Sequence, residues 1–403
     1  GNGDHQGSGR VGGDGVMAKL GECFSVIRNG ASIRQTDGAG GFPITRIETI
    51  ADKTINREKF GYAGIYDLAQ YRDYILQDGD ILMSHINSEK HLGKIALYSK
   101  QDDEQIIHGM NLLMLRADTQ KVIPEYAKYY FESQKFLRQI GRITKKSVNQ
   151  ASFTVTALKE LEIPLASIIV QRDISEKLKK VDWLVSLRKQ QLAKLDELVK
   201  ARFVEMFGDP VVNSKRWPVE TIENHIDLLT GFPFDSSGYV SKGVNICGGL
   251  IIMPQKIDWS ACKHWPQITG YEDYILRPND IVIALDRPWI SNGFKIAMVD
   301  REHLPALLIQ RTARIRAVDI NQHYLMQSLL LGRFDKHCNI TGSLVPHISP
   351  KDIKSYSVMI PPIELQNQFA TFVERVDQQK QTVQQSLEKL ELMKKALMQE
   401  YFG

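Results

Sequence analysis

Apolar residues recur at alternating spacings of four and three residues in two stretches of the chain, 174–206 and 369–401. Eight of the ten positions in this series are apolar in each stretch. A 4-3 repeat predicts the narrow seam of a coiled coil rather than the broad stripe of a helix on a globular core. The seam residues expected to pair the helices are Leu178, Val181, Val185, Leu192 and Leu195 in the first stretch and Val373, Val376, Leu387 and Leu390 in the second.

The two stretches belong to a longer repeat of the sequence. Residues 171–208 return as residues 366–403, without a gap and with twelve identical positions. Shorter matches keep the same order, such as YILQDGDI at 74–81 and YILRPNDI at 274–281. A chain built as globule, helix, globule and helix predicts an internal pseudo-two-fold symmetry.

Each repeated segment lacks Pro and Gly before its final glycine, which favours one long helix. About 38 residues at roughly 1.5 Å each make a rod of about 55–60 Å, which needs a partner in water. Polar residues interrupt the two seams at different positions (Arg188 and Lys380), so we expect the two different helices to pair with each other in one specific register. The alternative is that each helix packs only on its own domain.

The segments between the helices predict mixed α/β (α+β) domains with β-rich cores. Residues 281–286, 94–99 and 295–300 have strand character, whereas 126–140 and 322–334 have helical periodicity. The expected division is a tag or disordered tail at 1–16, a first domain at 17–165, a long helix at 166–210, a second domain at 211–362 and a long helix at 363–403. The tail is glycine-rich and has no apolar core, so we expect the natural protein to begin at Met17.

Composition excludes several broad classes. A hydrophobic content of 43% and a net charge of +4 are ordinary for a globular protein, so any nucleic-acid surface must be local. No apolar run approaches the 18 residues of a membrane span. The four cysteines are scattered without the spacing of a zinc site or a disulfide framework, and a reducing cytoplasm fits best.

Sequence signatures of catalysis are absent. The chain has no phosphate-binding loop, no H-E-x-x-H or G-x-S-x-G motif, and no N-P-P-[YF] or D-P-P-Y string of an amino-methyltransferase. Asp80 and Asp280 are the best equivalent acidic pair, but each lies in a turn before a strand, where aspartate is common. We therefore expect no catalytic residue, no metal site and no cofactor.

Basic and amide-bearing loops at matching places in the two domains are the candidate DNA contacts. Lys and Arg neutralise phosphates, whereas Arg, Asn and Gln can make bidentate hydrogen bonds to base edges. A solvated surface loop is the alternative for each of these residues. The candidates are Arg28, Arg34, Asn87, Lys90, His91, Arg142, Lys145, Lys146, Asn149 and Gln150 in the first domain and Arg287, Asn292, Lys295, Thr341, Ser343 and His347 in the second.

The pattern resembles the specificity subunit of type I restriction–modification enzymes. The resemblance is carried by the Ile163-Pro164 and Ile360-Pro361 strand ends, by Gln171 and Gln366 opening the helices, and by the helix ends LAKLDELVKARFVEMFGDP and LEKLELMKKALMQEYFG. The family's Pro-Pro-x-x-E-Q string has only a variant form, beginning at Pro361-Pro362, and the first copy has PLASIIVQ instead.

The resemblance implies two target-recognition domains, each reading one half of a bipartite site in double-stranded DNA. It further implies that the two helices pair antiparallel and set the spacer between half-sites. Two methyltransferase (modification) subunits would bind the helices and domains, and restriction motor–nuclease subunits would then join that core. Two alternatives stay open from the residues: a coiled-coil scaffold or adaptor with two ligand-binding domains and no nucleic acid, and an enzyme with one unrecognised active site per domain.

Overall fold

The computed structural model describes residues 16–36, 40–147, 150–338 and 346–403. The chain divides into two compact units. Unit 1 comprises the residues up to 189 together with 385–403, and unit 2 comprises residues 190–384. Each long helix crosses this division, so each unit contains one half of each helix.

Unit 1 consists of short strands, small helices and one half of each long helix. Its strands are β1 (Val16–Lys19), β2 (Phe24–Asn29), β3 (Ile81–Ser84), β4 (Ile86–Asn87), β5 (Ile95–Leu97), β6 (Leu112–Ala117), β7 (Lys145–Lys146), β8 (Ala151–Ser152) and β9 (Glu162–Leu165). Its helices are α1 (Leu20–Cys23), α2 (Pro124–Glu132), α3 (Gln134–Ile143), α4 (Val155–Lys159) and the first half of α5 (Ile168–Phe207).

The central sheet of unit 1 is antiparallel, in the order β2-β6-β3-β5. Alternate residues of β3 enter different clusters: Ile81 and Met83 pack with aromatic residues of α2 and α3, whereas Leu82 packs with Ile50 and Tyr98 on the other side. Because both faces of the sheet are covered, its strands are apolar at successive positions.

The predicted helix at 126–140 is in fact two helices. Helix α2 ends at Glu132, and α3 begins at Gln134. Ser133 lies between them in an extended conformation, and its hydroxyl accepts a hydrogen bond from the Phe136 amide at 3.2 Å. A serine N-cap of this kind starts a new helix in a new direction.

Unit 2 repeats this plan with additional strands. Its strands are β10 (Val219–Thr221), β11 (Ile226–Thr230), β12 (Val244–Cys247), β13 (Ile252–Met253), β14 (Lys256–Ile257), β15 (Lys263–Trp265), β16 (Ile281–Ala284), β17 (Trp289–Ile290), β18 (Gly293–Phe294), β19 (Ile296–Met298), β20 (Ala306–Leu308), β21 (Thr312–Ala317) and β22 (Ser357–Met359). Its helices are α6 (Gln322–Leu331), α7 (Phe334–His337), α8 (Pro350–Lys354) and the first half of α9 (Ile363–Phe402).

The central sheets of the two units correspond strand for strand. In unit 2 the order is β11-β21-β16-β19, again antiparallel. The register also corresponds, because Ile81 pairs with Leu115 and Ile281 pairs with Ile315. Unit 2 adds a three-stranded sheet, β15-β12-β20, in which β12 and β20 are parallel.

A buried ion pair recurs at the same place in both sheets. Asp80 receives two hydrogen bonds from Arg116, at 2.8 and 2.7 Å, and Asp280 receives two from Arg316, at 2.6 and 2.8 Å. Each aspartate also accepts a backbone N–H at 2.7 Å from the residue three positions earlier. These contacts give the repeated aspartate the same structural role in both sheets.

The long helices α5 and α9 pack antiparallel within unit 1. Lys394 Nζ lies 2.6 Å from Asp182 Oδ1, and Lys189 Nζ lies 3.2 Å from Glu391 Oε1. Phe402 packs edge-on against Tyr126 of α2, with ring centroids 5.2 Å apart. The end of α9 is therefore part of the hydrophobic core of unit 1.

The same helices also pack antiparallel within unit 2. Lys380 Nζ lies 2.6 Å from Asp196 Oδ1. Phe203 of α5 contacts Phe369 of α9 edge-on and stacks on Tyr324 of α6, with centroids 5.5 Å apart in both pairs. Lys380 and Lys394, which interrupt the α9 seam, thus each find an aspartate beside the α5 seam.

The predicted fold of mixed α/β domains with two long, antiparallel, paired helices is confirmed. All twenty seam positions are buried or half-buried. Among the residues expected to pair, Val185, Leu192 and Leu390 are half-buried, and the others are buried, namely Leu178, Val181, Leu195, Val373, Val376 and Leu387. The side chain of Arg188, a polar seam residue, donates to Ser386 at 3.1 Å within unit 1.

Buried glutamines anchor the starts of both helices. Gln171 accepts a hydrogen bond from the Ile123 amide at 2.9 Å, and Gln366 accepts one from the Asn321 amide at 2.8 Å. Both side chains are almost fully enclosed. Each glutamine ties the long helix to the loop that precedes α2 or α6, so the helix is fixed to its domain.

Candidate nucleic-acid interface

Two candidate loops of unit 1 meet in a small antiparallel sheet. Strand β8 pairs with β4 on one side and with β7 on the other. As a result, Asn87 and Lys146, which are far apart in sequence, both lie opposite Ala151. The loop after β3 and the segment after α3 therefore form one surface at one end of the central sheet.

This surface of unit 1 is basic and exposed. Lys146 forms an ion pair with Glu89 at 2.7 Å, and both side chains are well exposed. Asn87 is half-buried, and its side-chain oxygen accepts the Ser88 amide at 2.7 Å. Four further candidates on these two segments are exposed, namely Lys90, Arg142, Lys145 and Gln150.

Unit 2 builds the equivalent junction with different side chains. The amide of Phe153 donates to the His85 carbonyl at 3.2 Å in unit 1, and the amide of Ile348 donates to the Leu285 carbonyl at 3.0 Å in unit 2. The Arg287 amide donates to the Pro346 carbonyl at 2.7 Å. Arg287 thus occupies the position that Asn87 occupies in unit 1.

A carboxylate organises the unit 2 surface. Asp286 forms a backbone bridge with His347, and its side chain lies 2.7 Å from His347 Nδ1. The second oxygen of Asp286 lies 3.2 Å from a terminal nitrogen of Arg311. Arg311 was not among the sequence candidates, because a single arginine in a turn has no distinctive pattern.

A short hairpin presents another candidate of unit 2. Strands β17 and β18 are joined by a turn that contains Asn292, which is exposed. Trp289 stacks on Phe294, with ring centroids 4.8 Å apart, and both rings pack near Phe334. Trp289 therefore holds the hairpin in place by packing, while Asn292 lies at its tip.

Three other candidates of unit 1 lie outside the paired strands β4, β7 and β8. The Arg28 guanidinium lies over the Tyr74 ring at 4.1 Å and donates to the Asp73 carbonyl at 3.4 Å. Arg34 is exposed in the segment before residue 36. His91 is half-buried in the turn after β4, and burial lowers its pKa.

Lys295 is a buried lysine. Only 7% of it is exposed, its ammonium donates to the Gly249 carbonyl, and burial lowers its pKa. The equivalent Lys94 in unit 1 donates to the Ala51 carbonyl at 3.2 Å. The shared lysine therefore holds a neighbouring loop in both units. The candidates Asn149, Thr341 and Ser343 lie outside the described residues.

The part of the chain that the structure describes contains no cluster of three His, Cys, Asp or Glu side chains suited to a metal ion. No helix in the same ranges combines the length and apolarity needed to span a bilayer.

Comparison with known proteins places this architecture in a family. Each unit combines a mixed α/β domain with one half of an antiparallel helix pair. The model of the type I restriction modification DNA specificity domain matches residues 14–197 and 268–392, more than half of the chain. The chain therefore belongs to the family of type I restriction–modification DNA specificity proteins.

Individual relatives agree with this family. A protein of Methanocaldococcus jannaschii, provisionally named the type I restriction enzyme MjaX specificity subunit, is 29% identical over 405 residues, covering 96% of this chain and 92% of the relative. The EcoAI specificity subunit of Escherichia coli is 27% identical over 248 residues, covering 57% of this chain and 40% of the relative.

Solved structures support the fold. The S subunit from M. genitalium superimposes with a TM-score of 0.58 at 13% identity, covering 97% of this chain and 96% of that chain. A chain from a study of complex assembly and conformational transition of the type I R-M system gives a TM-score of 0.52 at 16% identity, covering 96% of this chain and 97% of that one.

Proposed function

We propose that this chain selects the DNA target of a type I restriction–modification enzyme, with each unit reading one half of a bipartite site. One observation carries the proposal: in each unit, two loops meet at the corresponding end of the central sheet, but their side chains differ between the units. Asn87 and Lys146 are at this junction in unit 1, and Arg287 and His347 in unit 2. A shared frame with different polar groups suits two readers of different sequences.

The helix pair sets the distance between the two half-sites in this proposal. Its support is the antiparallel seam, in which Asp182 with Lys394 and Asp196 with Lys380 fix a single register. The same helices are proposed to dock two methyltransferase subunits. Trp183 is 59% exposed on α5 and Leu392 is 66% exposed on α9, and such apolar side chains suit a protein interface.

The chain directs catalysis by its partners rather than performing it. Under this proposal it brings an adenine methyltransferase, and motor–nuclease subunits joined to that complex, to the chosen sequence. The relatives that it matches are specificity subunits. Asp80 and Asp280, the acids that recur at equivalent positions, each hold an arginine of their own unit.

A scaffold that binds no nucleic acid is the competing function, and salt dependence separates the two. Binding of the full chain to duplex DNA should weaken steeply between 50 and 200 mM salt, because each neutralised phosphate releases counterions. Binding that is absent, or that does not respond to salt, would favour the scaffold.

Substitution in unit 1 tests the assignment of one unit to one half-site. Arg142→Ala removes an exposed cation near the end of α3, and Lys145→Ala removes one in β7. Recognition of one half-site only should therefore weaken. The measurement is a genome-wide map of methylated adenines with the partner methyltransferase present. Lys100→Ala, an exposed lysine near the opposite end of β3, is the matched control. If both half-sites respond alike to Arg142→Ala, the assignment is wrong.

A further inference from the structure

Arg311 of unit 2 combines exposure with a fixed orientation. It lies in the turn before β21 with a positive φ of 63°, and its carbonyl accepts the Leu285 amide at 2.9 Å. Its side chain is 74% exposed, yet one terminal nitrogen lies 3.2 Å from Asp286. An exposed arginine that a carboxylate holds in place is already oriented before any ligand binds.

Asp286 is itself held from a second direction. Its other oxygen lies 2.7 Å from His347 Nδ1, and its backbone pairs with His347. Only 26% of the Asp286 side chain is exposed. The carboxylate is therefore contacted at both oxygens, and it restrains the guanidinium and its N–H groups. Arginine has five such donors in a rigid plane.

This arrangement suits a base edge better than a phosphate. A phosphate carries a full negative charge, so the carboxylate 3.2 Å from Arg311 repels it more strongly than it repels the neutral edge of a base. A planar, oriented guanidinium matches the O6 and N7 acceptors of guanine in the major groove. Resting on the proposed function above, we propose that Arg311 reads a guanine in the half-site of unit 2 and that Asp286 is its positioning residue.

Unit 1 has no equivalent of this pair. The turn residue corresponding to Arg311 is Asn111, which also has a positive φ, of 75°. The residue corresponding to Asp286 is Ile86, which pairs with Ser152 as Asp286 pairs with His347. Recognition of a guanine by this arginine is therefore expected only in the half-site of unit 2.

Adenine-methylation maps with the partner methyltransferase provide the first test. Arg311→Ala should make one G·C pair of one half-site degenerate and leave the other half-site unchanged. Arg311→Lys keeps the charge but loses the planar fork, so the specificity at the same G·C pair should also be relaxed. Asp286→Asn, which keeps the side-chain shape, should relax the specificity at that pair to a smaller degree. Arg301→Ala, an exposed arginine in the turn after β19, is the control.

A chemical probe of the DNA provides the second test. Replacing the assigned guanine by 7-deazaguanine removes the N7 acceptor. Binding of the full wild-type chain should weaken, by less than the roughly 5- to 150-fold that a whole bidentate contact contributes, because the O6 acceptor remains. Binding of the Arg311→Ala chain should not respond to the replacement, and unchanged circular dichroism would show that this variant is folded.

The outcomes separate this inference from the proposed function. A bipartite wild-type motif that Arg311→Ala and Arg311→Lys both leave intact overturns the guanine assignment alone. Full rescue by Arg311→Lys, with equal loss at all sites for Arg311→Ala, identifies a phosphate contact and also overturns it. Relaxed specificity at an A·T pair in the Arg311→Ala variant would likewise overturn the guanine assignment. The absence of any methylation motif with the wild-type chain would instead contradict the proposed function.

Discussion

His85 is a buried histidine at the end of β3, next to the junction of the two loops in unit 1. Only 5% of it is exposed, and its Nδ1 atom is enclosed without a hydrogen-bond partner in the described residues. Burial lowers its pKa from 6.5 to about 4. His108, also buried, has its pKa lowered to about 4 for the same reason. Both residues are neutral in the folded protein at neutral pH.

The lowered pKa of His85 predicts how the stability of the protein depends on pH. An unfolded histidine takes up its proton near pH 6.5, whereas folded His85 does so near pH 4. Between these values the unfolded state binds more protons, so stability falls as the pH is lowered from 6.5 to 4. The share of His85 is on the order of 2–4 kcal/mol, given about 1.4 kcal/mol per pKa unit.

Urea denaturation of the wild-type chain and of His85→Gln, followed by circular dichroism at pH 8 and pH 4.5, measures this share. The free energy of unfolding should decrease less for His85→Gln than for the wild type between these pH values. The difference at pH 8, where both side chains are neutral, provides the baseline. An equal decrease in both proteins would contradict the assignment.

At the scale of single residues the sequence was least informative. Lys295 is of a type that is usually exposed, so nothing local predicts that its ammonium binds the Gly249 carbonyl. Arg311 lacks a sequence signal, and its contact with Asp286 is visible only in the folded chain. Contacts between residues far apart in the chain decide the roles of both.

At the scale of secondary-structure elements, the sequence was informative about the paired helices. The heptad pattern is local, so the seam could be read directly, and every seam position is at least half-buried. The break at Ser133 escaped prediction because the apolar spacing continues across it, although serine is a strong N-cap residue. The joining of the loops through β4, β7 and β8 escaped as well, since those strands have only two residues each.

Packing of Phe203 between α5, α6 and α9 should contribute strongly to the stability of unit 2. Its ring is fully buried and contacts Phe207, Tyr324 and Phe369. Phe203→Ala should reduce the free energy of unfolding by about 3–5 kcal/mol. The neighbouring Val204 is 45% exposed, so Val204→Ala should change it by no more than about 0.5 kcal/mol.

Thermal unfolding of the two variants provides the comparison. Both substitutions truncate an apolar side chain to the same residue at adjacent positions of α5, so a difference in helix propensity cannot explain a large gap between them. Similar melting temperatures for the two variants would show that the aromatic cluster is not a major source of stability.

The whole molecule is a duplication, and this property was readable from the sequence. The constant shift of 195 residues across the two helices corresponds to two helices of equal length, Ile168–Phe207 and Ile363–Phe402. The weaker repeat in the domains corresponds to the shared four-stranded sheet and its Asp80 and Asp280 ion pairs. The loops that differ between the units are the ones to which we assign recognition.

Insertion of seven residues into α5 alone, between Lys189 and Gln190, tests the role of the helix pair as a whole. The insertion preserves the seam of α5 but lengthens it by about 10 Å relative to α9. The ion pairs of Lys394 with Asp182 and of Lys380 with Asp196 then cannot both form in one register. The same insertion in the exposed turn at Asp102 is the control.

The most direct measurement is a genome-wide map of methylated adenines in cells with this chain and its methyltransferase. For the wild type we expect two short specific sequences separated by a fixed number of unspecified base pairs. The α5 insertion should abolish methylation of that site, and the Asp102 insertion should preserve it. An uninterrupted wild-type motif, or a motif that survives the α5 insertion unchanged, would contradict recognition by two units at a distance set by the helices.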